Sequence, residues 1–217
     1  FFFKQKTAYE ISTRDWSSDV CSSDLNIKIS PLIYKTVNEY LLAAITSNTT
    51  EIDCIIGIGG DFTTYLVDYW LMSKIEQLPY HHKRLIGISN SANIIDDAIY
   101  NFTRIGCNTD TDTNIDTQLH LVDYSLFNSG TYKFLDSIGE SNVLIIHLAK
   151  IHTSVIEWIL SEKEKIRSII FIYCHHNDFE KKTKPLRTRY VMDGGICYPN
   201  GDSEPVCVVR FTVIASY

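Results

Sequence analysis

Gly57-Ile58-Gly59-Gly60-Asp61-Phe62-Thr63 is the stretch on which the fold reading turns. An apolar run from Ile52 to Ile58, with Asp53 and Cys54 inside it, leads into this stretch, and a helical pattern over 64–75 leaves it. Strand, glycine turn and helix together make an anion-binding geometry. Glycine lets the backbone approach a phosphate, and the N–H groups of the helix start face it. Asp61 would repel a phosphate on its own, so the pattern predicts a Mg²⁺ ion held by Asp61 between the two. The plain alternative is an ordinary strand-to-helix turn with no ligand, because short glycine motifs recur by chance.

Working outward, a second apolar run at Leu85–Ser89 completes a βαβ unit, with His81-His82-Lys83-Arg84 as a polar link before it. Such a crossover makes the two strands parallel and places a ligand at their carboxyl ends. The second run ends in a polar stretch, Asn90-Ser91-Ala92-Asn93-Ile94-Ile95-Asp96-Asp97, so two loops would line one cleft. Val143–Leu148, a helix beginning at Thr153 and reaching about Lys165, and Ser168–Tyr173 make a second unit, with Val155, Trp158 and Ile159 facing the core. Upstream, Lys28–Ile45 reads as a helix whose apolar face is Ile33, Val37, Leu41, Leu42 and Ile45. Asp110, Asp112 and Asn114 imitate a calcium loop, but Ile115 and Leu121 occupy the positions of its glycine and bidentate glutamate. The stretch is read instead as a capped helix start with Ile115, Leu119 and Val122 inward. His175-His176-Asn177-Asp178 lacks zinc-like spacing and is read as a solvated strand end. Glu180–Tyr190 is a basic loop, and Val206–Ala215 suggests a last strand in a hairpin.

Phe1–Leu25 resembles a translated DNA sequencing adapter and is set aside from fold reasoning. Removing its three basic and four acidic residues from the chain's 20 and 26 leaves 17 against 22. That acidic balance argues against nucleic acid as a partner. No apolar run is long enough to cross a membrane. Cys54, Cys107, Cys174, Cys197 and Cys207 are odd in number and lack a Cys-x-x-Cys pair, which favours reduced thiols in the cytoplasm.

Four segments, in order, resemble the phosphofructokinase family, particularly its divergent and pyrophosphate-using branches. Gly59-Gly60-Asp61-Phe62-Thr63 is similar to the family's Gly-Gly-Asp-Gly-Ser/Thr, and Ile86-Gly87-Ile88 to the opening of its next strand. Thr103-Arg104-Ile105-Gly106-Cys107-Asn108-Thr109 is similar to Thr-x-x-Gly-Phe-Asp-Thr, and Leu148-Ala149-Lys150 stands where the family has Leu-Met-Gly-Arg. The resemblance implies ATP or pyrophosphate held by Gly59, Gly60, Asp61 and Thr63, with Mg²⁺ on Asp61. It implies fructose 6-phosphate near Ser91, Arg104 and Lys150, and an oligomer of like or unlike subunits. Its catalytic base falls on Asn93, which cannot accept the proton, or with a two-residue slip on Asp96 or Asp97. Phe62 replaces a glycine, and Lys150 lacks arginine's fork. The implied protein is a degenerate or regulatory phosphotransferase-like domain.

The expected architecture is an α/β, Rossmann-like three-layer sandwich with a mainly parallel sheet. It divides as 1–25 adapter-derived, 26–178 the α/β domain and 179–217 a tail of unassigned role, incomplete at both ends against the family. Other readings stay open: an NAD-kinase-like enzyme, an LD-carboxypeptidase-like enzyme with Ser89 or Ser91 as nucleophile, and a non-catalytic αβ interaction domain.

Overall fold

The computed structural model describes residues 31–46, 52–59, 84–104, 116–148, 150–174, 176–200 and 203–214. The adapter-like stretch, the helix expected over 64–75, and Gly60, Asp61 and Thr63 lie outside the described residues. Five strands are parallel: β1 (Cys54–Gly59), β2 (Arg84–Ser89), β3 (Asp116–Leu121), β4 (Asn142–His147) and β5 (Ile166–Tyr173). Two more, β6 (Tyr190–Asn200) and β7 (Ser203–Val213), form an antiparallel hairpin. The seven strands run in the order β3-β2-β1-β4-β5-β7-β6, with β7 antiparallel to β5.

The central strands are apolar on both faces because both faces are covered. In β4, Val143 and Ile145 point into one core while Leu144 and Ile146 point into the other, all 0–1% exposed. Over the first face lie α1 (Pro31–Thr46) and α2 (Ala92–Arg104). Helix α1 starts on a proline, which has no N–H to leave unpaired in a first turn. Its Ile33, Val37, Leu41, Ala44 and Ile45 recur at helical spacing and are buried against β4, β5 and β7. Over the second face lie α3 (Thr153–Ser161), α4 (His176–Thr183) and short 3₁₀ turns at Tyr124–Leu126, Lys133–Ser137 and Lys184–Thr188. The result is the three-layer, mainly parallel α/β sandwich that the βαβ pattern predicts.

Several local readings change. The residues after β5, read as a solvated strand end and a basic loop, form α4 and the 3₁₀ turn Lys184–Thr188. Residues 116–121 form a strand, in parallel register with β2 from Arg84↔Asp116 to Ser89↔Leu121. Leu119 packs toward one core and Val122 into the other, which a single helix face does not allow but a period of two does. The polar stretch after β2 is also shorter than expected. Helix α2 begins at Ala92, so Asn93, Asp96 and Asp97 are helical.

The thiol reading changes as well. Cys197 and Cys207 are directly opposite in the β6–β7 register and form a disulfide, with Cα atoms 4.0 Å apart. Their separation of ten residues along the chain hides a contact that the hairpin creates.

Candidate ligand-binding edge

Parallel strands bring their carboxyl ends to one edge of the sheet. The connection from β1 leads toward β2 and that from β4 toward β5, on opposite sides, so a crevice opens between β1 and β4. Gly59 ends β1 with φ +109°, a conformation that side-chain-bearing residues rarely adopt. A Cβ there would lie 1.9 Å from the His147 carbonyl oxygen. The glycine therefore lets β1 close against β4 and sets the floor of the crevice.

His147 ends β4 and is 1% exposed. Burial lowers its pKa to about 4, so the ring is neutral at physiological pH. Ser89 ends β2, wholly buried, and its Oγ accepts the Ser91 N–H at 3.1 Å. That bond makes the tight exit into α2.

The connection after β3 contributes the charged and aromatic groups. Val122 N–H donates to the Ser89 carbonyl at 2.8 Å, which carries the chain across the end of β2. Asp123 follows, exposed. Its Oδ1 accepts both the Ser125 hydroxyl at 2.7 Å and the Ser125 N–H at 2.8 Å. Those two bonds hold the carboxyl below its usual range, so it is ionised. Tyr124 is buried, and its hydroxyl donates to the Ile88 carbonyl at 3.2 Å. Burial raises the phenol well above the ordinary tyrosine range, while hydrogen bonds from Ser89, Asn90 and Gly59 pull the other way. One neutral hydroxyl thus ties the connection after β3 to the end of β2.

His152 precedes α3, with its ring centroid 5.6 Å from that of Tyr124. Burial lowers its pKa, with further lowering by Lys150 and Lys182 against the pull of Asp123. The crevice is therefore acidic beside Asp123 and basic beside Lys150 and Lys182.

Of the residues singled out in the sequence, Gly59, Ser91 and Lys150 lie at this edge. Asn93 and Asp96 are exposed on the first two turns of α2, and Asp97 is half-buried there, its carboxyl raised by burial and by Asp96. Arg104 ends α2, two turns or more from the strand ends. Asp123, Tyr124, His147 and His152 were not singled out for function. The available signal was a polar residue closing each apolar run: His147 after Val143–Ile146, and Asp123 after Leu119–Val122.

No family model and no curated protein sequence matches the chain. Solved structures do match its fold. Streptococcus pneumoniae Sp1610, a putative tRNA (m1A22) methyltransferase in complex with S-adenosyl-L-methionine, aligns with TM-score 0.54 at 10% identity over 87% of this chain and 75% of its own. M. capricolum TrmK in complex with S-adenosyl-homocysteine aligns with TM-score 0.53 at 11% identity, over 85% and 69%. A human methyltransferase 10 domain containing protein aligns with TM-score 0.56 at 9% identity, over 84% and 82%. The chain shares the Rossmann-like α/β fold of these proteins.

These likenesses overturn the phosphofructokinase resemblance and the phosphotransferase activity drawn from it. ATP, pyrophosphate, Mg²⁺ and a sugar phosphate fall with it, as do the NAD-kinase, LD-carboxypeptidase and interaction-domain alternatives. Among the described residues no three His, Cys, Asp or Glu side chains converge as a metal site. The physical reason for the misreading is that a glycine turn from strand to helix suits many nucleotide ligands and does not choose among them. The exclusion of nucleic acid is corrected too, because neighbours of this fold are named as tRNA methyltransferases. Net charge averages over the whole surface and does not exclude a local basic patch. No described helix is long and apolar enough to cross a membrane.

Proposed function

We propose that the chain is a methyltransferase that uses S-adenosylmethionine and acts on RNA. The observation that carries this reading is the fold likeness to methyltransferases solved with that cofactor or its demethylated product, spanning 85–87% of the chain. The donor set at the carboxyl edge fits such a group. Asp123 offers an ionised, exposed carboxylate to amino or hydroxyl hydrogens, and its Oδ1 is oriented by Ser125. Gly59 lets β1 close against β4, and Tyr124 is tied to the end of β2. The carboxylate comes from the β3 connection. The end of β2, where Rossmann sites commonly hold a ribose with an acid, carries Ser89-Asn90 instead. The chemistry supplied by the bound cofactor is an electrophilic methyl group on a cationic sulfur. We place this activity in the cytoplasm, on the strength of the RNA reading.

Calorimetric titration with S-adenosyl-homocysteine tests the reading. One molecule should bind per chain, and Asp123→Ala should weaken binding about tenfold, the value of one hydrogen bond to a charged group. Absence of binding, together with no transfer of labelled methyl to RNA, would refute it.

A further inference from the structure

We propose that Lys150, His152 and Lys182 form a phosphate-binding site on the β4–β5 side of the crevice, which takes a backbone phosphate of the RNA substrate. This rests on the RNA reading above. The three side chains come from two elements that the fold brings together. Lys150 and His152 lie in the connection from β4 to α3, and Lys182 lies on α4, which follows β5. Lys182 Nζ donates to the Thr153 hydroxyl at 3.0 Å, which draws α4's cation to the residue next to His152.

The neighbouring basic residues are already used. Arg187 is paired with Glu180 at 2.5 Å and Arg189 with Glu164 at 2.9 Å. Lys150 and Lys182 have no carboxylate partner among the described residues, and Lys150 is exposed. Against these two ammonium groups stands one carboxylate acting on His152, the ionised Asp123. Tyr124, the other titratable group against the His152 ring, is neutral. The local field is therefore positive, and lysine ammonium groups bind phosphate as point charges without demanding the planar fork of arginine. The site adjoins the crevice, so a phosphate held there would anchor the nucleotide whose base enters.

The test uses the full chain and the pair of changes Lys150→Gln and Lys182→Gln. Glutamine at 182 retains a donor for Thr153. Binding of a short single-stranded oligoribonucleotide is followed by fluorescence anisotropy across a salt series. The double variant should bind about tenfold more weakly, and its log–log salt slope should be shallower by about 1.4, or 0.7 for each lost contact. Inorganic phosphate is the second probe. It should raise the titration midpoint of His152, followed by nitrogen-15 NMR and assigned with His152→Gln, in the wild type but not in the double variant. Circular dichroism checks that the variants are folded. Equal affinity and slope in wild type and folded double variant would overturn the proposal, as would no binding of oligoribonucleotide or phosphate to the wild type. Titration with S-adenosyl-homocysteine runs alongside: its failure counts against the methyltransferase reading, while lysine-dependent phosphate binding is read independently of it.

Discussion

Gly59→Ala is the substitution that most directly tests how the floor of the crevice is built. Two costs add. At φ +109° an alanine sits outside its allowed regions, which costs about 1–3 kcal/mol. Its Cβ would also fall 1.9 Å from the His147 carbonyl oxygen and 2.6 Å from the carbonyl carbon. These are backbone atoms of the neighbouring strand, in direct register with Gly59, and cannot rotate away. Relief requires β1 and β4 to separate at their ends, an overpacking cost of about 1–3 kcal/mol. The sum, about 2–6 kcal/mol, is a large share of the stability of an ordinary domain. Urea unfolding should show the midpoint falling with little change of slope. Gly130→Ala is the control. There the new Cβ meets only the Asn128 side-chain oxygen, at 2.9 Å, so its stability should stay within about 1 kcal/mol of wild type. A Gly59→Ala protein as stable as that control would refute the close approach of β1 to β4. The same variant should bind S-adenosyl-homocysteine less tightly, since the strand ends that shape the crevice would have moved apart.

Three further outcomes follow from other elements. His147 has a folded pKa of about 4, below its ordinary value, so the unfolded chain takes up a proton first as pH falls; stability should decline between about pH 6.5 and 4 by about 3 kcal/mol, and His147→Gln should flatten that decline in unfolding curves measured across pH. Reduction of Cys197–Cys207, which closes a short hairpin loop, should cost about 2–3 kcal/mol by loop entropy, read as a lower urea midpoint in dithiothreitol that the Cys197→Ser, Cys207→Ser double variant reproduces without it. Asp53 Oδ2 accepts the N–H groups of Glu140 at 2.8 Å and Ser141 at 3.2 Å, holding the entry to β4 against β1; Asp53→Ala should cost about 2 kcal/mol, and an unchanged midpoint would rule that tie out.

The parallel core was legible because burial on both faces leaves a plain trace. Cys54–Ile58, Leu85–Ile88, Val143–Ile146 and Ile169–Tyr173 are runs that only a covered strand tolerates. The special place of Gly59 was legible for the same kind of reason, since it adopts a conformation that few other residues accept. Less could be read where neighbours decide the outcome. Residues 116–121 carry polar side chains between their apolar ones and become a strand through pairing with β2, a long-range contact absent from any local window. Asn93, Asp96 and Asp97 looked like loop residues, yet the hydrogen bond from Ser91 to Ser89 turns the chain into α2 before it reaches them.

What separates the two functional readings lies far from the glycine motif. A strand, a glycine turn and a crossover helix are common to many nucleotide-binding folds, and over that stretch a kinase and a methyltransferase can look alike. Here the second half of the sheet adds different information. β7 enters antiparallel beside β5, and β6 closes the edge, locked by the Cys197–Cys207 pair and by Arg210, which grips both carboxylate oxygens of Asp193 at 2.9 and 2.7 Å. The sequence of that hairpin carries no ligand-binding motif. It nevertheless fixes the outer boundary against which α1 packs through Tyr40, whose ring lies 5.5 Å beneath the Arg210 guanidinium. The functional edge follows from the same topology. Asp123 and His152 belong to segments separated along the chain and are joined only because β3 and β4 end at the same edge of one sheet. Their proximity is a property of strand order, in which β2 and β1 lie between β3 and β4 in one sheet.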